Sequence, residues 1–252
     1  GDGNVAVGNA AMAYTSGSAN AAVGAYAGRF ATGSNNTFMG YEAGRGGNNS
    51  APFSSGQNNV AVGYQAFDAF TQGNLNVAVG YRALSAETIG ISTVAIGDNA
   101  GVAQNFGSHG STYNTMVGSG AGFWNVTGTG NTYLGAGAGT GASGQSNNNN
   151  TAVGNAALTS ITTGNQNVAL GGGAGNDITT GGSNVLLGYQ AGDNITTKTG
   201  VIAIGLGAAG AISTTGDYSI AIGHGAMGGA EVGDGNIAIG YQSMQNANAA
   251  GF

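Results

Sequence analysis

The chain has 252 residues, only 6% of them charged, with a net charge of −6 and 53 glycines. Four basic residues (Arg29, Arg45, Arg82, Lys198) offer no phosphate-neutralising patch, which argues against nucleic-acid binding. The absence of cysteine excludes disulfides and thiolate metal sites, and no apolar run reaches the length needed for membrane insertion.

The first predicted element, Asn4 to Gly8, reads Asn-Val-Ala-Val-Gly, and variants of it return 14 times along the chain. The closing glycines are Gly8, Gly24, Gly40, Gly63, Gly80, Gly97, Gly118, Gly135, Gly154, Gly171, Gly188, Gly205, Gly223 and Gly240, most often 17 residues apart. A fixed period of this length predicts an all-β solenoid of about 14 rungs, a single repeat domain over residues 1–252. Asn opens 11 of the copies, and the third residue after the closing glycine is Ala in 13. Glycine at fixed corners supplies positive φ or close chain approach, and stacked Asn amides can hydrogen-bond from rung to rung.

The three residues between Asn and the closing glycine predict a strand in every copy. The first and third are Val, Ile, Thr or similar, as in Val5 and Val7 or Ile237 and Ile239, and they share one face. The middle residue faces the other way and is apolar too: Ala6, Ala22, Phe38, Ala61, Ala78, Ala95, Met116, Tyr133, Ala152, Ala169, Leu186, Ala203, Ala221 and Ala238. Two apolar faces on one strand imply burial on both sides. The Val/Ile face is expected to fill the rung interior, and the small-residue face to pack on a sister chain in an obligate homo-oligomer.

Three long gaps interrupt the period, and insertions in solenoids form loops that often carry binding. Residues 45–58 hold Pro52 and Phe53, residues 102–113 hold Phe106, His109 and Tyr113, and residues 140–149 hold only small and amide side chains. Exposed aromatics among hydroxyls and amides suit sugar stacking or protein contact; the alternative is that Phe53 and Phe106 tuck under their own loops or a neighbouring chain. Tyr41, Tyr64 and Tyr81 repeat one rung position, either as a packing ladder or as a ligand platform. The sole tryptophan, Trp124 beside Phe123, reads either as an edge or interface filler or as a ligand anchor.

No catalytic, cofactor or metal constellation emerges. Gly205 to Gly210 and Gly223 to Gly228 match a dinucleotide glycine pattern, but each is a cassette glycine plus its corner, with no following helix. One calcium-type glycine–aspartate pattern, at Gly172 to Asp177, lacks the consecutive copies that shared ions require. Hexapeptide acyltransferases need an aliphatic every sixth residue, whereas Asp68, Ser85 and Asp193 stand in those places. An ice-binding face needs a regular array of Thr, and Thr falls irregularly here. The chain is therefore expected not to be an enzyme.

The cassettes Asn236 to Gly240 and Ser219 to Gly223 resemble the repeats of YadA-like heads in trimeric autotransporter adhesins. Asn184 to Gly192, with its Gly-Tyr-Gln-Ala-Gly segment, resembles phage tail-fibre repeats more closely still. The resemblance implies a left-handed parallel β-roll with two short strands per rung, assembled as a homotrimer. It also implies an extracellular adhesive shaft or head that attaches to a host-surface glycan or protein receptor. Rungs in phase at Gly1 and Gly251 raise the alternative of a self-polymerising filament built end to end.

Overall fold

The computed structural model describes residues 1–47, 50–51, 53–210, 216–229 and 233–245. Every cassette forms a three-residue strand, and within each compact unit of the chain parallel pairing joins successive rungs, so the predicted β-solenoid is the observed fold. The chain groups into two compact units, residues 1–130 and 131–252. The first carries β1 (Val5–Val7), β2 (Ala21–Val23), β3 (Thr37–Met39), β4 (Val60–Val62), β5 (Val77–Val79), β6 (Val94–Ile96) and β7 (Thr115–Val117). The second carries β8 (Thr132–Leu134), β9 (Thr151–Val153), β10 (Val168–Leu170), β11 (Val185–Leu187), β12 (Ile202–Ile204), β13 (Ile220–Ile222) and β14 (Ile237–Ile239).

The long gaps leave the ladder intact. Thr37 pairs with Val60 across the first insertion, Val94 with Thr115 across the second, and Thr132 with Thr151 across the third. The described extra residues lie outside the ladder and displace no strand. The second strand per rung that the resemblance implies is, among the described residues, represented only by isolated bridges, Ala31 with Ser54 and Ile91 with Ser111. Turn hydrogen bonds between rungs take its place, such as Phe67 N to Ala83 O and Leu84 N to Ala100 O.

Two devices lock one rung to the next. Closing glycines have φ between 123° and 137°, and a Cβ on Gly80 or Gly171 would lie 2.6 Å from the carbonyl carbon of the next closing glycine. No side chain fits there. The cassette asparagines form buried ladders: Asn59 Oδ1 accepts Asn76 N at 3.0 Å, and Asn76 Oδ1 accepts Thr93 N at 2.9 Å. In the second unit Asn150 Oδ1 accepts Asn167 N at 2.9 Å, and Asn167 Oδ1 accepts Asn184 N at 3.1 Å. Glycine does not hold every corner. Gln65, Phe67, Arg82 and Leu84 also adopt left-handed φ of 49–56°, at a cost of about 1 kcal/mol each that packing and rung-to-rung bonds offset.

The faces of the strand are the reverse of the sequence expectation. Ala22, Phe38, Ala61, Ala78, Ala95, Met116, Tyr133, Ala152, Ala169, Leu186, Ala203, Ala221 and Ala238 are at most 2% exposed within their own coil, so they cannot meet a sister chain. Ala6, in the first rung, is exposed. The cause is the narrowness of the coil. The middle residue faces a wall built from the alanine three places after the closing glycine and from the residue that follows that alanine. Of these two facing positions at most one carries a large side chain, as in Phe38 with Gly44 or Ala61 with Phe67, and the first and third residues of each strand are left on the outside.

Candidate functional site

Each unit therefore carries two parallel rows of outward, mostly aliphatic side chains, the first interrupted by Thr37 and Thr115 in one unit and by Thr132 and Thr151 in the other. Val5 and Val7 are each 57% exposed, Ile237 63% and Ile239 66%, and Met39, Leu134 and Leu170 are about half exposed. These positions flank the buried middle residues, and the parallel register repeats them from rung to rung. In interior rungs the same positions are half-buried, as at Val60, Val62, Val77, Val79, Val185 and Leu187.

Of the predicted loop residues, Pro52 lies outside the described residues. Phe53 is half-buried and packs on Tyr14 and Phe30, with ring centroids 5.1 and 6.0 Å away. Phe106 is half-buried too, its ring against Gly110, while His109 and Tyr113 are exposed. Phe53 and Phe106 sit on different insertions, and no ring contact joins them. Tyr41, Tyr64 and Tyr81 stack at 5.4 and 5.3 Å with their planes 10–11° apart, and all three are about half exposed. The Tyr41 hydroxyl is shifted above its ordinary pKa, chiefly by the Glu42 carboxylate beside it.

The second insertion is anchored by a residue the sequence reading passed over. Glu87 is fully buried and accepts hydrogen bonds from the backbone N–H of Thr88 (2.9 Å), Gly90 (2.8 Å) and Phe106 (3.2 Å), and from Gln104 Nε2 (3.1 Å). It occupies the seventh place after its closing glycine, where Phe70, Ile161, Ile178 and Ile195 fill the core of other rungs. A carboxylate in an apolar column was the available signal. Its partners show a structural role, tying the start of the loop to the rung below.

Two surface clefts lie away from the loop aromatics, although Val102 and Ala103, at the start of the second insertion, line the first. Arg82, Asn99, Val102, Ala103, Phe123 and Trp124 enclose about 280 Å³ in the first unit. Asn155, Ala156, Gly172, Gly173, Asn176, Tyr189, Gln190 and Asp193 enclose about 340 Å³ in the second. In the latter the Asp193 carboxyl is raised above its usual pKa by burial and, less, by Asp177. Asp68 is raised to about 6, mainly by burial, against the opposing pull of Arg45, whose Nη2 lies 3.9 Å from Asp68 Oδ2.

The chain matches no family model, no curated protein and no solved structure.

Among the described residues no three His, Asp or Glu side chains converge as metal ligands, and no helix is long and apolar enough to cross a membrane. What the surface does offer is chemistry for contact: aliphatic rows along the strands, stacked tyrosines at a corner, and clefts lined by aromatic and amide groups.

Proposed function

We propose that this chain is a non-catalytic structural and adhesive module that works outside the cell as a homo-oligomer, a trimer by its resemblance. It serves as a shaft or head segment of a phage tail fibre or a bacterial surface adhesin and attaches to a host glycan or protein receptor. The observation that carries the reading is the pair of outward aliphatic rows on each unit. A soluble monomer rarely leaves a contiguous apolar patch larger than roughly 300–600 Å² in water. Closed symmetry around the strands covers such rows on every copy at once. Repeated corners and loops on several chains then let weak contacts engage together. Of the two carriers, the Gly-Tyr-Gln-Ala-Gly stretch at 188–192 favours the tail fibre.

Sedimentation of the purified chain tests this. The expected mass is three times 24.2 kDa, and Val77→Asp or Ile204→Asp, each placing a charge in an outward row, should release monomers that bind hydrophobic dyes. A wild-type monomer sinks the assembly reading. Continuous fibres in electron micrographs would instead favour end-to-end stacking.

A further inference from the structure

We propose that the cleft between Arg82, Asn99, Phe123 and Trp124 is a binding site for a carboxylate-bearing pyranose, a uronic or sialic acid unit of a surface polysaccharide. This deepens the attachment reading, on which it rests for where such a sugar is met. Binding itself is measured on the isolated protein.

Three successive rungs build the cleft. Arg82 and Asn99 occupy the same corner place, second after Gly80 and Gly97, both with left-handed φ of 50° and 52°. Their backbones are fixed by Arg82 N to Tyr64 O at 2.9 Å and Asn99 N to Tyr81 O at 2.8 Å. The third rung supplies Phe123 and Trp124, whose rings meet edge to face with centroids 4.7 Å apart. Ala103 N donates to Phe123 O at 3.1 Å, so the aromatic pair is tied to the floor beneath it. The polar side chains project from ordered turns and need no loop to close.

Size and chemistry then select the occupant. A volume of about 280 Å³ lies at the small end of ligand sites, roughly 300–1,000 Å³, and holds about one sugar ring. Phe123 and Trp124, with the Val102 and Ala103 floor, form an apolar wall for the C–H face of a pyranose, and the indole N–H is a donor to ring hydroxyls.

Arg82 sets the charge. It is exposed and takes part in neither ion pair found among the described residues, both of which use Arg45. Its planar fork matches a carboxylate in two parallel hydrogen bonds. Asn99 Nδ2 is held by Asp98 Oδ2 at 3.1 Å, which leaves Asn99 Oδ1 to accept from a hydroxyl. Asp98 repels an anion at that end, so the ligand's carboxylate belongs at Arg82.

Trp124 is the only tryptophan, so its emission reports on this cleft alone. The full chain is titrated with glucuronate, N-acetylneuraminate, glucose and acetate, each to ~50 mM, the range of weak single-sugar sites. Saturable change with either acid, at least about tenfold tighter than with glucose or acetate, supports the site. Response to one acid alone identifies it as the source. Arg82→Gln should abolish the preference for acid while leaving the thermal midpoint unchanged, and Arg82→Lys should recover part of it. No saturable change with either acid overturns the proposal, as does an equal response to glucose or to the Arg82→Gln variant. A monomer that still binds glucuronate defeats the assembly reading and leaves this one standing; an assembled protein silent to both acids defeats this one alone.

Discussion

Gly139 lies so close to the Tyr133 ring that a Cβ there would sit 2.5 Å from Cε1, Cε2 and Cζ of the tyrosine. The two residues share one layer of the coil. Tyr133 is fully buried, and Gly139 at φ 58° leaves it the space. One rung later the arrangement is inverted: Ala152 in the strand faces Leu158 at φ 51°. Gly139→Leu alone should therefore overpack the layer and cost about 3 kcal/mol or more. Tyr133→Ala alone should open a cavity costing about 3–5 kcal/mol. The double variant copies the next rung and should lose only about 1–2 kcal/mol, the residue of the left-handed backbone cost. Urea unfolding at one fixed protein concentration reads all three; additive losses in the double variant would refute the shared layer.

The asparagine ladder makes a sharper demand on single residues. Asn76 Oδ1 accepts Thr93 N, and Asn76 Nδ2 donates to Gly90 O, each at 2.9 Å and buried. Asn76→Ala orphans both partners, at about 1–3 kcal/mol each. Asn74→Ala, which removes bonds to Gln57 N and Gln72 O at the exposed corner, should cost about 1 kcal/mol or less because water replaces them. Equal losses in the two variants would show that ladder burial does not matter.

Glu87 makes a local prediction. Glu87→Ala removes the common acceptor of the Gly90 and Phe106 amides, so hydrogen exchange there should accelerate, and residues 102–113 should become protease-sensitive while β4 and β5 stay protected. Glu87→Gln keeps the shape but replaces one acceptor oxygen by an amide NH2, so it loses the acceptor at either Oε1 or Oε2 and should loosen the loop to a smaller degree. Unchanged protection at Phe106 in both variants would remove Glu87 from its anchoring role.

Much of this architecture is legible in the residues, and the part that is not has a definite cause. The closing glycines mark all the strands and opening asparagines 11 of them, and both long insertions of the first unit leave the pairing undisturbed, as solenoid packing requires. Facing was misread because both sides of Val77-Ala78-Val79 are apolar, and period two separates the sides without saying which is inner. The deciding cue lay six residues on. Phe38, Met116, Tyr133 and Leu186 are each followed at that distance by Gly44, Gly122, Gly139 and Gly192, whereas Ala61, Ala78 and Ala152 are followed by Phe67, Leu84 and Leu158. Volume that is exchanged between two positions belongs to one enclosed layer. The Trp124 cleft carries no comparable cue, because Arg82 and Asn99 reach it only through the stacking of three rungs.

Asp68 supplies a pH dependence whose sign follows from burial. Its carboxyl is raised to about 6 in the folded chain from an ordinary 3.8, because loss of water outweighs the attraction of Arg45. Between those values the folded state binds more protons than the unfolded one, so this group's contribution to stability falls as pH rises from about 4 to 6. Above that window the folded protein carries the full cost of a half-buried anion, and below it the cost is absent. Asp68→Asn should therefore raise stability at pH 8 by about 1 kcal/mol, allowing for screening at a partly open site, and leave it nearly unchanged at pH 4. Thermal unfolding of both proteins across pH 4–8 measures the difference. A variant less stable than wild type at pH 8 would mean that the Arg45 pair outweighs burial after all.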